Sequence, residues 1–86
     1  MIVNPLAEAE DIQAAPLAGT TALAVTLLWI VNTATTASKV TVANSVAATL
    51  YIPAGEGVFV EKERGAVVEA STAASSVWAT PCAYSN

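Results

Sequence analysis

The feature that most constrains this chain is its punctuation. From residue 22 onward, short stretches in which apolar residues recur at every second position are separated by Gly, Pro, Asn and Ser. No stretch there holds the three- and four-residue spacing of a strong amphipathic helix, so the chain must fold mainly as strands. Residues 39–44 (KVTVAN) set Val40 and Val42 on one side and Lys39 and Thr41 on the other, the alternation of a half-buried antiparallel strand. Residues 47–52 turn Leu50 and Ile52 toward a core. Residues 57–62 separate Val58 and Val60 from Phe59 and Glu61. Residues 77–84 separate Val77, Ala79 and Ala83 from Trp78, Thr80, Cys82 and Tyr84.

Residues 22–32 (ALAVTLLWIVN) read as one strand with both faces apolar, Leu23, Val25, Leu27, Trp29 and Val31 against Ala24, Thr26, Leu28 and Ile30. A strand of this kind is central, or a neighbouring subunit covers one face, and Trp29 among leucines is expected in the core. Pro53-Ala54-Gly55 is a tight connection, and Glu63-Arg64-Gly65 is expected to close a hairpin into residues 66–70. Residues 71–75 read as a loop of small residues. Pro81 cannot donate to a ladder, so the last strand is expected at an edge or bulged there. Upstream, residues 6–13 fit one or two helical turns or an edge strand, and Pro16 and Gly19 punctuate the stretch that leads to residue 22. The expected fold class is all-β: a small antiparallel β-sandwich or barrel of six to eight short strands with an N-terminal arm. Residues 1–21 form the arm or an edge segment and residues 22–86 the sandwich domain.

Composition narrows the function. An 86-residue chain holds one domain, and only 12% of its residues are charged, against about 25% in an ordinary soluble domain. Uncharged Ala, Thr, Ser and Asn take up the difference, and such a surface is most simply explained by burial against a partner. A net charge of −4 with three basic residues leaves no cluster to hold phosphates, so nucleic acid is not an expected partner. Residues 14–31 are uncharged, but Pro16, Gly19, Thr20, Thr21 and Thr26 interrupt them and no basic residue flanks them, so no membrane span is expected. The acidic N-terminus lacks the basic start of an export signal.

No catalytic constellation is present. The chain has no His to serve Cys82 or any Ser as base, no metal-ligand spacing and no glycine-rich phosphate loop, so neither enzymatic activity nor a cofactor is expected. Cys82, the single cysteine, cannot form an intrachain disulfide and reads as a small buried residue, consistent with folding in a reducing cytoplasm. Glu56, Glu61, Glu63 and Glu69, with Lys62 and Arg64 among them, read as a solvated face rather than a calcium site. Trp78 and Tyr84, on one side of the last strand, are the aromatics expected to be exposed. Together with Ile2, Val3, Pro5 and Leu6 of the arm they are the expected subunit contact.

From residue 28 to residue 84 the order LLWIVN, KVTV, LYIPAGEGVFVEKERGAVVEAS, VWATPCAY resembles small accessory structural proteins of tailed-bacteriophage virions. The resemblance implies a capsid decoration (cement) protein: a homo-oligomer, expected as a trimer, bound to a major capsid or other virion protein. Such a protein is made in the host cytoplasm and located on the capsid or tail surface. A small neck, tail or fibre component, or a carbohydrate-binding adhesion module using Trp78 and Tyr84, is the alternative.

Overall fold

A computed structural model describes residues 2–13, 15–70 and 76–85. Two antiparallel sheets pack face to face. The larger, sheet A, is built from β1 (Ile2–Pro5), β2 (Glu10–Asp11), β3 (Leu27–Asn32), β6 (Gly57–Glu61) and β8 (Val77–Ser85). Its order is β1-β8-β3-β6, with β2 beside β1 along the same edge of β8. Sheet B has the order β5-β4-β7, from β4 (Ser38–Val42), β5 (Ala48–Ile52) and β7 (Val68–Ala70). One short helix, α1 (Thr20–Ala24), precedes β3. The small all-β sandwich expected from alternation is the fold observed, and no helix among the described residues is long and apolar enough to cross a membrane.

The core lies between the sheets. Leu28, Ile30, Val77 and Ala79 from sheet A meet Val40, Val42, Ile52, Val68 and Ala70 from sheet B. Each fully buried aliphatic side chain here contributes about 1.5–3 kcal/mol. Residues 10–13 and 15–17 close one side of the sandwich. Glu10 and Asp11 pair with β8, and the chain then crosses to β7, where Ala70 N–H donates to Ile12 C=O and Leu17 N–H to Val68 C=O. Ile12 and Leu17 are buried as a result. On the opposite side, among the described residues, the corner at residues 53–56 joins β5 to β6 at one end and Glu63 holds the β4–β5 loop at the other, and Leu50, Val58 and Val60 stay half-buried between them.

Four sequence expectations are corrected. First, residues 22–32 are not one strand: 22–24 belong to α1, which caps one end of the core with Ala22, and β3 begins at Leu27. Second, residues 63–65 make no hairpin. Gly65, at φ 81°, turns the chain, but β6 pairs with β3 and β7 with β4. The inward residues of β6 and β7 thus line opposed walls of one core, and the turn carries the chain between the sheets.

Third, β8 is central, although Pro81 lies in it. The register β3 to β8, with the bond from Thr33 N–H to Ser76 C=O, points the Pro81 nitrogen away from β3 toward the N-terminal strands. There β1 ends: Leu6 N–H still reaches Pro81 C=O at 2.8 Å, but no donor returns, and the pairing resumes two residues out of step at Glu10 opposite Ala79. The missing donor breaks the partner strand and leaves β8 intact. Fourth, Lys62 is not on a solvated face. It is only 5% exposed, and its ammonium donates to the carbonyls of Leu23 (3.0 Å) and Glu63 (3.3 Å). Residues 6–13, which as sequence fit either helix or strand, carry β2. The loop expected at residues 71–75 lies outside the described residues.

Candidate functional site

Sheet registers decide which side chains share a surface. Opposite Leu27 stand Glu61 and Cys82; opposite Trp29, Phe59 and Thr80; opposite Val31, Gly57 and Trp78. Along the β1 edge, Val3 stands opposite Tyr84 and Pro5 opposite Cys82, while Asp11 of β2 stands opposite Trp78. All of these project from sheet A away from the core, because Leu28, Ile30, Val77 and Ala79 between them project inward. The result is a continuous outward surface with Phe59 52% exposed, Tyr84 50% and Trp78 37%. Trp29 belongs to it as well. The expectation of a core tryptophan fails because β3 is apolar on both sides and its inward positions are Leu28 and Ile30.

Trp29 is nevertheless held in place. Its ring centroid lies 4.7 Å from that of Phe59, with the ring planes 54° apart, a geometry favourable for two aromatic quadrupoles. The far edge of the indole extends over Gly57, where a Cβ would sit 2.4 Å from Trp29 Cζ2. Only glycine leaves room for the ring. Tyr84 crosses the face in the other direction. Its hydroxyl stands 3.5 Å from Glu61 Oε1, so the side chain reaches from β8 over β3 toward β6. Beneath that span Leu27 and Cys82 are covered, at 2% and 4% exposure.

Near the Tyr84 end the surface dips into an open hollow of about 620 Å³ between α1 and β8, lined among others by Leu6, Val25, Leu27, Arg64 and Tyr84. Leu6 is half exposed at its rim. Arg64 is the charged residue of the lining, and its guanidinium donates to Ala24 C=O at 3.3 Å. The carboxylates singled out in the sequence are scattered among other tasks. Glu63 leaves the β6 face altogether: its Oε1 accepts from Ser45 N–H (3.0 Å) and Oγ (2.8 Å) and holds the loop between β4 and β5.

Sheet B presents the opposite chemistry. Its outward positions are Lys39 opposite Tyr51, and Thr41 between Thr49 and Glu69. That is the ordinary polar face of a two-layer sandwich. Sheet A has none: apart from Thr80, Asp11 and Glu61, its outward residues are aromatic, aliphatic, Pro, Cys or Gly. Of the residues expected to make a subunit contact, the registers bring Val3, Pro5, Trp78 and Tyr84 onto this surface. Leu6 sits at the hollow, and Ile2 is placed only by its backbone opposite Ser85. Trp29, Phe59 and Val31 join them, although the sequence reading does not expect them there. Parity in residues 57–62 puts Phe59 on the side opposite Val58 and Val60, and that is the signal the sequence offers.

Binding through apolar contact is the chemistry this surface offers. Cys82, the nucleophile nearest to it, is covered, with its thiol 3.4 Å from Thr80 C=O. Compared with known proteins, the chain matches no protein-family model, no curated protein and no solved structure.

Proposed function

We propose that the chain is a structural assembly protein, a homo-oligomeric capsid decoration (cement) protein that presses the outward face of sheet A against a virion shell. One observation carries the reading: sheet A is apolar on both faces and sheet B on one, so a third layer of protein is needed over sheet A. The virion setting comes from the resemblance of residues 28–84, and a neck, tail or fibre surface would use the same face.

The glycan-binding alternative has less support. A sugar platform on Trp78 and Tyr84 needs both rings free, whereas Tyr84 is drawn toward Glu61, its hydroxyl 3.5 Å from Oε1. The test is co-sedimentation with shells assembled from a tailed-phage major capsid protein. Retention at saturable stoichiometry, abolished by Trp78→Asp with an unchanged circular dichroism spectrum, is the expected result. Absence of the chain from the shell pellet, or equal retention of the Trp78→Asp variant, would overturn the reading.

A further inference from the structure

We propose that two copies of the chain join through the free edge of β6, paired antiparallel about Phe59, so that sheet A continues across a two-fold axis. This rests on the self-association part of the reading above and adds its contact and symmetry. No described strand pairs with β6 on the side away from β3. The ladder determines which backbone groups that edge offers. Lys62 N–H donates to Thr26 C=O and Asn32 N–H to Glu56 C=O, so Val58 and Val60 spend their backbone groups on β3. In an antiparallel pair the intervening residues face the other way, and Gly57, Phe59 and Glu61 therefore turn their N–H and C=O groups outward.

Two of the other three sheet edges are managed. β7 is covered by Ile12 and Leu17, which bond to Ala70 and Val68, and β1 ends in Pro5 and the break opposite Pro81. β5 is also a free edge, with Ala48, Thr49 and Tyr51 exposed, but it belongs to the sheet whose outward face is otherwise polar. β6 has no Pro, no bulge and no outward Lys, the usual devices against edge pairing, and its neighbour Lys62 is turned inward. It also borders the side of the sandwich that is not closed, where Leu50, Val58 and Val60 are half-buried. A strand added here covers them.

A second β6 fits that strand in one register. With Phe59 opposite its own copy, Gly57 meets Glu61 and all three outward residues find partners. Shifting by two residues in either direction leaves one of the three unpaired, and a shift of four in one direction sets Glu61 against itself, a repulsive pair. In the favoured register Val58 lies beside Val60 of the other copy on the core side. On the outward side the Trp29–Phe59 pair continues into its symmetry mate as a row of four rings. Isologous pairing of this kind closes at two, in place of the trimer the resemblance implied.

Cross-linking reads the register directly. In a Cys82→Ala background, Phe59→Cys places two thiols on residues whose Cα atoms are about 5.5 Å apart, within disulfide reach. Glu61→Cys places them four residues out of step, at roughly 14 Å, beyond reach. Oxidation at tens of micromolar should convert most of the Phe59→Cys chain to a covalent dimer and leave the Glu61→Cys chain as monomer on a non-reducing gel. Light scattering on the unmodified chain should give twice 8.7 kDa, and Phe59→Lys should halve that mass without changing the circular dichroism spectrum. Equal cross-linking of the Phe59→Cys and Glu61→Cys chains, or a trimer that persists in Phe59→Lys, would overturn the edge contact while leaving self-association standing. A monomer at every concentration would overturn both.

Discussion

At the scale of single residues, two side chains are fixed by what surrounds them rather than by their own type. Gly57 is small because Trp29 lies on it: Gly57→Ala would bring a methyl within 2.4 Å of the indole, far inside contact distance. The outward face is open, so the ring can swing away instead of forcing the backbone apart. The expected cost is about 1 kcal/mol, seen in the urea midpoint, together with a red shift of tryptophan emission as the indole gains solvent. Lys62 is the converse case, a cation drawn inward to satisfy the carbonyls of Leu23 and Glu63. Burial pushes its pKa below the ordinary lysine value. Between that lowered pKa and the ordinary one the unfolded chain holds the proton and the folded chain does not, so stability rises with pH through this window. Relative to Lys62→Met, which cannot titrate, the unmodified chain should gain in urea midpoint as pH rises from the lowered pKa to the ordinary lysine value. A parallel pair of curves would show that the ammonium is not desolvated.

At the scale of elements, the sandwich depends on one buried amide. Asn32 ends β3 fully buried, and its Nδ2 donates to the carbonyls of Thr36 and Ile52, each at 2.9 Å, while its Oδ1 accepts from Ala34 N–H at 2.9 Å. It ties sheet A to β5 of sheet B and shapes the β3–β4 loop in the same stroke. Asn32→Ala leaves the buried Ile52 carbonyl and the part-buried Thr36 carbonyl without this donor and should cost about 2–3 kcal/mol in chemical denaturation. Asn32→Asp keeps the shape but replaces the donor with a charge, and should be worse at neutral pH and recover part of the loss in mild acid, where a protonated carboxyl can donate to one carbonyl. Asn32 is visible in the sequence as the residue that ends a strand, but its partner Ile52 lies twenty positions away and no local pattern names it. The same division runs through the fold. Alternation places Val40, Val42, Val58, Val60, Val77 and Ala79 on their observed sides, because parity is a property of the strand alone. It does not say which apolar side of β3 is inside, since Leu27, Trp29 and Val31 are as hydrophobic as Leu28 and Ile30. Nor does it pair β6 with β3 rather than β7, because the turn at Gly65 looks the same whether the chain stays in one sheet or changes sheets. Pro81 misleads for a related reason: a missing donor demands a gap in one neighbour, which β1 and β2 supply, and not an edge.

At the scale of the whole molecule, the decisive property is that two layers of structure carry three apolar surfaces. An outward face that is covered only on assembly contributes little to the stability of the isolated chain and much to its binding at the surface that covers it. Adjacent residues of β3 separate the two contributions. Ile30→Thr places a hydroxyl between the sheets and should cost about 3 kcal/mol at any protein concentration. Val31→Thr, one position along and half-buried on the outward face, should cost less than about 1 kcal/mol when the chain is dilute. Because association stabilises the folded state by mass action, the unfolding midpoint of the unmodified chain should climb as concentration rises from micromolar to millimolar, and Phe59→Lys should flatten that climb. The variants therefore separate by cause: Ile30→Thr lags at every concentration, Phe59→Lys falls behind only where the dimer is populated, and Val31→Thr, away from the β6 edge, stays close to the unmodified chain throughout. Thermal scans of the four proteins across that range measure the difference. A midpoint independent of concentration in the unmodified chain would mean that the edge of β6 stays unpaired in solution, and that any layer over the aromatic face of sheet A has to come from another protein.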